Sequence, residues 1–283
     1  MKILNFSVQK SAIFSMIVPV FILNGLFFAL LLPSFQNPDE AVHYSTVQHW
    51  AEPKIKDWKI SEEPKKLFDP SNIATLNFSE EITRTAQVVG FDEIRFENKN
   101  TQAFISESNS GQDENLFRSE SLSRYITARP SATSGTQSWY YLVASWIEKG
   151  LSGSDIFTRM FAVRAFSVML GALTVVLAYF TFRKAKFSDL ESLLLASLIA
   201  FQPMFTATAA QINIDIALIL SFALFTFTGA WILREEISWR TGILLAFSTT
   251  LGFFAKGPGI VLIALTPLLL GYTLWTRFGA DIK

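Results

Sequence analysis

Asp39, Glu40 and His43 fall within five positions of the stretch SFQNPDEAVHY, residues 34–44, directly after the apolar run from Ser11 to Pro33. If the chain is helical there, Asp39 and His43 stand four apart and Glu40 and His43 three apart, so they share a face. Two carboxylates so placed can serve as a general base and as a ligand for a metal or other cation, because desolvation and mutual repulsion raise the pKa of one of them. A structural reading stands beside this one. Asn37 can cap a helix, Pro38 suits its first position, and Glu40 completes a pattern like a capping box, with acids favoured by the positive helix end. Spacing alone leaves the two readings level.

Four further polar sites interrupt apolar sequence, where charge is costly and therefore informative. Arg159 and Arg164 stand at the start of the second apolar run. A guanidinium there matches a lipid-linked phosphate or pyrophosphate, with snorkelling to headgroups or pairing with Asp155 as the ordinary alternative for Arg159. The stretch QINID, residues 211–215, breaks another apolar segment, where Asn213 can cap the following helix and Asp215 can pair with an Arg or with Lys256. Lys256 lies in FFAKGPG, a segment whose GPG ends a helix.

These residues need elements to hold them. The run from Ser11 to Pro33 is long enough to cross a hydrocarbon core of roughly 30 Å at about 1.5 Å per residue, and reads as an uncleaved membrane helix. Further apolar runs cover roughly 157–182, 188–208, 213–233, 240–255 and 258–276. The run ending at residue 255 reaches only about 22 Å as a helix, which places Lys256 below the far headgroups. Between the first and second runs lies a polar stretch with a Ser/Asn/Gly-rich patch, SESNSGQDEN, and then SWYYLVASWIEKG, where Trp139, Val143, Trp146 and Ile147 recur at helical spacing. That segment reads as a short helix in the headgroup region or as an aromatic core element of the loop.

Composition agrees. Of 283 residues, 50% are hydrophobic, 27 are Phe and 17% are charged, which is too apolar for an ordinary soluble domain. The net charge is zero, yet residues 36–156 hold 18 acids against 12 bases, so the rest of the chain is correspondingly basic. The clusters RKAK, REEISWR and Arg277 follow alternate runs, which puts the N-terminus in the cytoplasm and the 36–156 loop, Asn213 and Lys256 together on the opposite side. The absence of Cys excludes disulfides, thiolate metal sites and cysteine nucleophiles, and two His leave little room for a histidine-built metal centre. The expected fold is an all-α polytopic membrane protein of about six transmembrane helices with a large extracytoplasmic loop domain between the first and second. Its parts are a membrane helix at 1–35, the loop domain at 36–156 with juxtamembrane helices, and a membrane region at 157–283.

In chain order, NPDEAVHY, WYYLVASWI, TRMFAVRAFSVMLGAL, FQPMFTATAAQINIDIAL and FFAKGPGIVL resemble the GT-C superfamily of polytopic glycosyltransferases. Within it, the likeness is to the bacterial DUF2142 membrane proteins and their PDE-x-x-H signature. The resemblance implies a bacterial inner-membrane enzyme that moves a sugar from a polyprenyl-phosphate-linked donor to a cell-envelope acceptor, among membrane lipids and with no nucleic-acid partner. By the same resemblance Asp39 is the candidate general base or acceptor-orienting carboxylate, and Glu40 its partner or the ligand of a divalent cation. Arg164 and Lys256 become candidates for the lipid phosphate, with His43, Asn213 and Asp215 lining the site. Six runs are fewer than such enzymes usually carry, so a shortened copy or a minimal relative is expected. Two other classes stay open: a non-catalytic protein that binds or moves lipid-linked saccharides, and a structural membrane subunit.

Overall fold

The computed structural model describes residues 6–37, 39–52, 78–89, 122, 124, 138–235 and 237–278, with side chains from residue 16. The described residues form helices and no strand. In chain order these are α1 (Phe6–Leu31), α2 (Glu40–Ala51), α3 (Glu80–Val88), α4 (Trp139–Gly150), α5 (Ile156–Lys184), α6 (Asp189–Ala200), α7 (Pro203–Ala209), α8 (Asp215–Arg234), α9 (Trp239–Phe253) and, after a 3₁₀ turn at Gly257–Gly259, α10 (Ile260–Phe278).

Several starts are written locally. Asp155 accepts the Thr158 N–H at 3.1 Å to begin α5. Ser188 and Glu191 close a reciprocal capping box on α6, and Ser238 with Thr241 does the same on α9. Within the apolar helices hydroxyls turn inward on their own backbone. Thr174 donates to the Leu170 carbonyl at 3.0 Å and Ser221 to that of Ala217 at 2.7 Å, so neither leaves a polar group facing hydrocarbon.

The 29-residue α5 is the central post, packed against α1, α4, α6, α7 and α8. Close approach depends on glycine. A Cβ at Gly171 would lie 2.8 Å from the Ala209 Cβ and 3.1 Å from the Phe21 ring, so α5, α7 and α1 meet there only because residue 171 has no side chain. Leucines and phenylalanines on the outer faces of α6, α9 and α10 are exposed, as a hydrocarbon solvent requires.

Three helices, Ile156–Lys184, Asp215–Arg234 and Gly257–Arg277, are long and apolar enough to cross a membrane, and a fourth crossing is formed if Asp189–Ala200 and Pro203–Ala209 count together. Among the described residues three or four helices thus meet the length and composition of a span, where six runs are expected. The run at 188–208 is not one straight helix but bends by 64° at Phe201 and Gln202. Pro203 has no N–H to continue α6, and the Gln202 side chain instead caps α7 at Phe205. The run at 240–255 is short, as expected, giving the 15-residue α9. Of the first run, Met16–Leu31 is a shorter apolar helix. Most of the expected loop domain at 36–156, including SESNSGQDEN, lies outside the described residues; α2, α3 and α4 belong to it.

Helix direction sorts the charges. Arg234 reaches the Ala185 carbonyl, Lys184 pairs with Glu235, and Arg277 reaches the Ile232 carbonyl, so the basic clusters gather where α5, α8 and α10 end. Arg159, Arg164, Asp215 and Lys256 sit at the other ends of the same helices.

Candidate functional site

The acid pair divides between two environments. Glu40 is fully buried in the first turn of α2. Its Oε1 accepts Arg164 Nε at 2.8 Å and the Ile212 N–H at 3.1 Å, while Oε2 accepts Arg164 Nη2 at 2.6 Å and the Phe35 N–H at 3.2 Å. The rest of the Arg164 guanidinium is spent on the end of α1: Nη1 donates to the Ala29 and Leu32 carbonyls and Nη2 to that of Pro33. Each of its five N–H donors thus has an acceptor inside the protein, which satisfies the open carbonyls of a helix terminus and opposes the negative end of its dipole. One carboxylate and one guanidinium tie together α1, α2, α5 and the 211–214 turn.

Asp39 stands on the other side of this knot. It is exposed, at the N-cap of α2, with φ 60° and ψ 4° and no side-chain capping bond. Of the capping reading of this stretch, Pro38 lies outside the described residues, the N-cap is a left-handed Asp39 in place of Asn37, and Glu40 is ion-paired. Left-handed backbone is tolerated by Asp better than by most residues, and strain of this kind is often found at functional positions.

His43 lies one turn further along α2, buried, with Nδ1 2.6 Å from the Tyr141 hydroxyl of α4. Burial pushes its imidazole below the usual range; Asp39 and Asp215 oppose that, and Lys256 adds to it. Charges from α2, from the start of α8 and from the turn before α10 therefore meet around one imidazole. Lys256 Nζ lies 2.6 Å from Asp215 Oδ1, and both side chains are a little over one-third exposed. Asn213 Oδ1 accepts the Asp215 N–H at 2.8 Å, fixing the start of α8 in the manner of a cap. Gly259 holds the turn after Lys256 in place: a Cβ there would lie 1.7 Å from the Gly252 carbonyl oxygen, so the chain crosses α9 in backbone contact.

Arg159 is not part of this cluster. Fully buried, it binds Glu148 of α4 through Nη1 and Glu81 of α3 through Nη2, and its Nε donates to the Ser154 carbonyl at 3.1 Å. Tyr44 donates to Glu148 at 2.9 Å, Gln48 donates to Glu81 at 2.7 Å, and Ser79 donates to Gln48 at 2.6 Å. Sequence reasoning singled out Arg159 and missed its partners, as it missed Tyr141. The available signal was chemical: a guanidinium inside an apolar segment requires carboxylates, and Glu148 lies in the aromatic segment just before it.

No three His, Asp or Glu side chains group as metal ligands among the described residues. At the pair expected to hold a divalent cation, Asp39 and Glu40, both Glu40 oxygens accept from Arg164 and from backbone N–H groups. An apolar groove of about 300 Å³ is lined chiefly by Trp50, Trp139, Leu142, Phe247, Leu251 and Phe254. Trp139 closes its end by donating from its backbone to the Phe254 carbonyl at 3.0 Å and from its ring to that of Leu251 at 3.2 Å. Phe254 is two positions from Lys256 in the chain and Leu142 follows Tyr141, while the lining itself is apolar but for Ser138 and Thr250.

The family model described as "Predicted membrane protein (DUF2142)" matches residues 21–279. No curated protein and no solved structure matches the chain.

Proposed function

The chain belongs to the DUF2142 family of predicted membrane proteins, and we propose that it is a membrane glycosyltransferase that moves a sugar from a polyprenyl-phosphate-linked donor to a cell-envelope acceptor. The observation that carries this reading is that an exposed carboxylate, Asp39, and Lys256 both act on the buried His43 imidazole, with Phe254, two positions from Lys256 in the chain, lining an apolar groove. In this reading the donor's hydrocarbon lies in the groove and its phosphate draws Lys256 from Asp215. Asp39 takes the proton of the acceptor hydroxyl as that oxygen bonds to the anomeric carbon. The bond from that carbon to the phosphate oxygen breaks, and its electron pair leaves with the phosphate, where Lys256 stabilises the charge. His43 and Asn213 line the site. Glu40 and Arg164 are positioning residues rather than catalytic acid and phosphate ligand, since their hydrogen-bonding groups are already committed to each other and to backbone. Arg159 is likewise structural. The reaction takes place on the extracytoplasmic face of the bacterial inner membrane.

The test uses the purified chain in nanodiscs, with binding of polyprenyl phosphate measured for wild type, Asp39→Asn and Lys256→Ala. Wild type and Asp39→Asn should bind alike and Lys256→Ala at least tenfold more weakly, while only wild type transfers sugar from a polyprenyl-phosphate sugar. Absence of binding by wild type would remove the reading. Binding without transfer, unaffected by Asp39→Asn, would leave a protein that carries lipid-linked saccharides.

A further inference from the structure

The Arg159 network has no part in the proposed reaction, yet it gathers ionisable groups in an unusual ratio. Arg159, Glu148 and Glu81 are respectively 0%, 2% and 7% exposed, so two carboxylates share one buried guanidinium. A second cation, Arg124, is 3.7 Å from Glu81, but its side chain is 24% exposed and also donates to the Ser152 carbonyl, so water screens it. The partners come from separate elements: Tyr44 and Gln48 from α2, Glu81 from α3, Glu148 from α4 and Arg159 from α5. Of these, α3 is the short one. Among its contacts are Glu81, the Ser79 bond to Gln48, the buried Ile82, Thr85 and Ala86, and Phe78, Val88 and Val89 packed against the core.

We propose that α3 is a proton-coupled latch, which docks on Arg159 more tightly as the pH falls. Docking brings Glu81 onto the guanidinium that already holds Glu148 and buries the Glu81 carboxylate. Each effect disfavours the second negative charge, while Arg159 can fully balance only one. In the docked structure burial raises the Glu148 carboxyl above its ordinary range and Glu81 adds to the rise, with Arg159 and the Tyr44 hydrogen bond opposing. Undocking removes Glu81 and admits water while leaving Arg159 beside Glu148, so the undocked state holds the proton less firmly. The state that binds more protons gains as pH falls. One proton taken up on docking makes the docking constant rise by up to about tenfold per pH unit. An ordinary acid-labile ion pair would behave in the opposite sense.

The experiment is hydrogen exchange by mass spectrometry on the full chain in nanodiscs from pH 8 to pH 5. Protection over residues 79–88 is corrected for the intrinsic pH dependence of exchange. Wild type should gain protection as pH falls. Glu148→Gln, which keeps the hydrogen-bonding shape without the charge, should be well protected and flat with pH, whereas Arg124→Gln should steepen the wild-type slope. Should Glu148→Gln fail to fold, Glu81→Gln serves as the second variant and should also flatten the profile. Protection in wild type that is constant or falls with acid overturns the proposal, as does a glutamine variant with the wild-type slope. A merely structural role for these residues would lower protection at every pH and leave the slope unchanged.

Discussion

Glu40 and Arg164, 124 positions apart in the chain, meet in a two-point ion pair with both side chains almost wholly buried. Because the same carboxylate also holds the Phe35 and Ile212 N–H groups, it sets the distance between the turn that carries Asp39 and the turn that leads to Asp215.

Removing one partner leaves the other charge buried without compensation. Glu40→Gln should therefore destabilise the protein by about 3–5 kcal/mol, and replacing both Glu40 and Arg164 by apolar residues of similar volume should cost less than either single change. Thermal unfolding in nanodiscs checks this, and a shift no larger than that of a surface substitution would refute it.

Asp39 can be separated from its backbone. Asn accepts a left-handed conformation, so Asp39→Asn should unfold within about 0.5 kcal/mol of wild type, whereas Asp39→Val should lose roughly 1–2 kcal/mol because a β-branched side chain crowds the carbonyl at φ 60°. Both variants should lose sugar transfer. Equal stability of the two would show that the left-handed turn is absent in the membrane-embedded protein.

The Lys256–Asp215 pair is partly exposed, so Lys256→Met should change stability by no more than about 1 kcal/mol while polyprenyl-phosphate binding falls at least tenfold. A fall in stability that matched the fall in binding would point to a packing defect instead.

His43 titrates below the ordinary imidazole range because it is buried. Unfolded, it takes a proton as pH drops through about 6.5, while the folded protein stays neutral, so the unfolded state binds more protons and stability is lost on the acid side of that value. The chain has two His, so nitrogen NMR resolves the titration directly. The stability gap between wild type and His43→Gln should shift against wild type between pH 7 and pH 5. A His43 signal that protonates above 6.5 would contradict the structure.

Gly259→Ala cannot be absorbed by side-chain movement, because the group in the way is the Gly252 carbonyl. The expected loss is about 1–3 kcal/mol, with weaker phosphate binding as the Lys256 turn shifts. Gly257→Ala, where nothing lies within 4 Å of the added carbon, is the control and should be close to neutral.

Much of the helical frame is legible in the sequence because apolar length and capping residues act locally. Ser188, Ser238 and Asp155 each sit where their helices begin, and Lys256 is one of the two kinds of partner, Arg or Lys256, that the sequence offers Asp215. The bend at Phe201 was less visible, since the residues from Asp189 to Ala209 are apolar on both sides of it and only Pro203 marks the break. The roles of Glu40 and Asp39 could not be told apart from spacing, because adjacent residues at a helix start differ only in which way the turn carries them. That turn is held by Arg164 from a distant helix. Arg159 posed the same problem in reverse: its charge stood out, but Glu81 comes from a polar segment with no motif.

The 64° bend between the 12-residue α6 and the 7-residue α7 has a consequence for the bilayer itself. Along the axis of α6 the two helices together advance only about 23 Å, and α9 advances about 22 Å, against a hydrocarbon thickness of roughly 30 Å. One leads to the start of α8 and Asp215, the other to Lys256, so both halves of that pair end short at the same place. Where these helices serve as membrane crossings, the lipids around the pair would thin or leave a dimple filled with headgroups and water. A phosphate carried on a hydrocarbon anchor would meet Lys256 there without being lifted out of its leaflet, and a water-borne acceptor would have to descend to it.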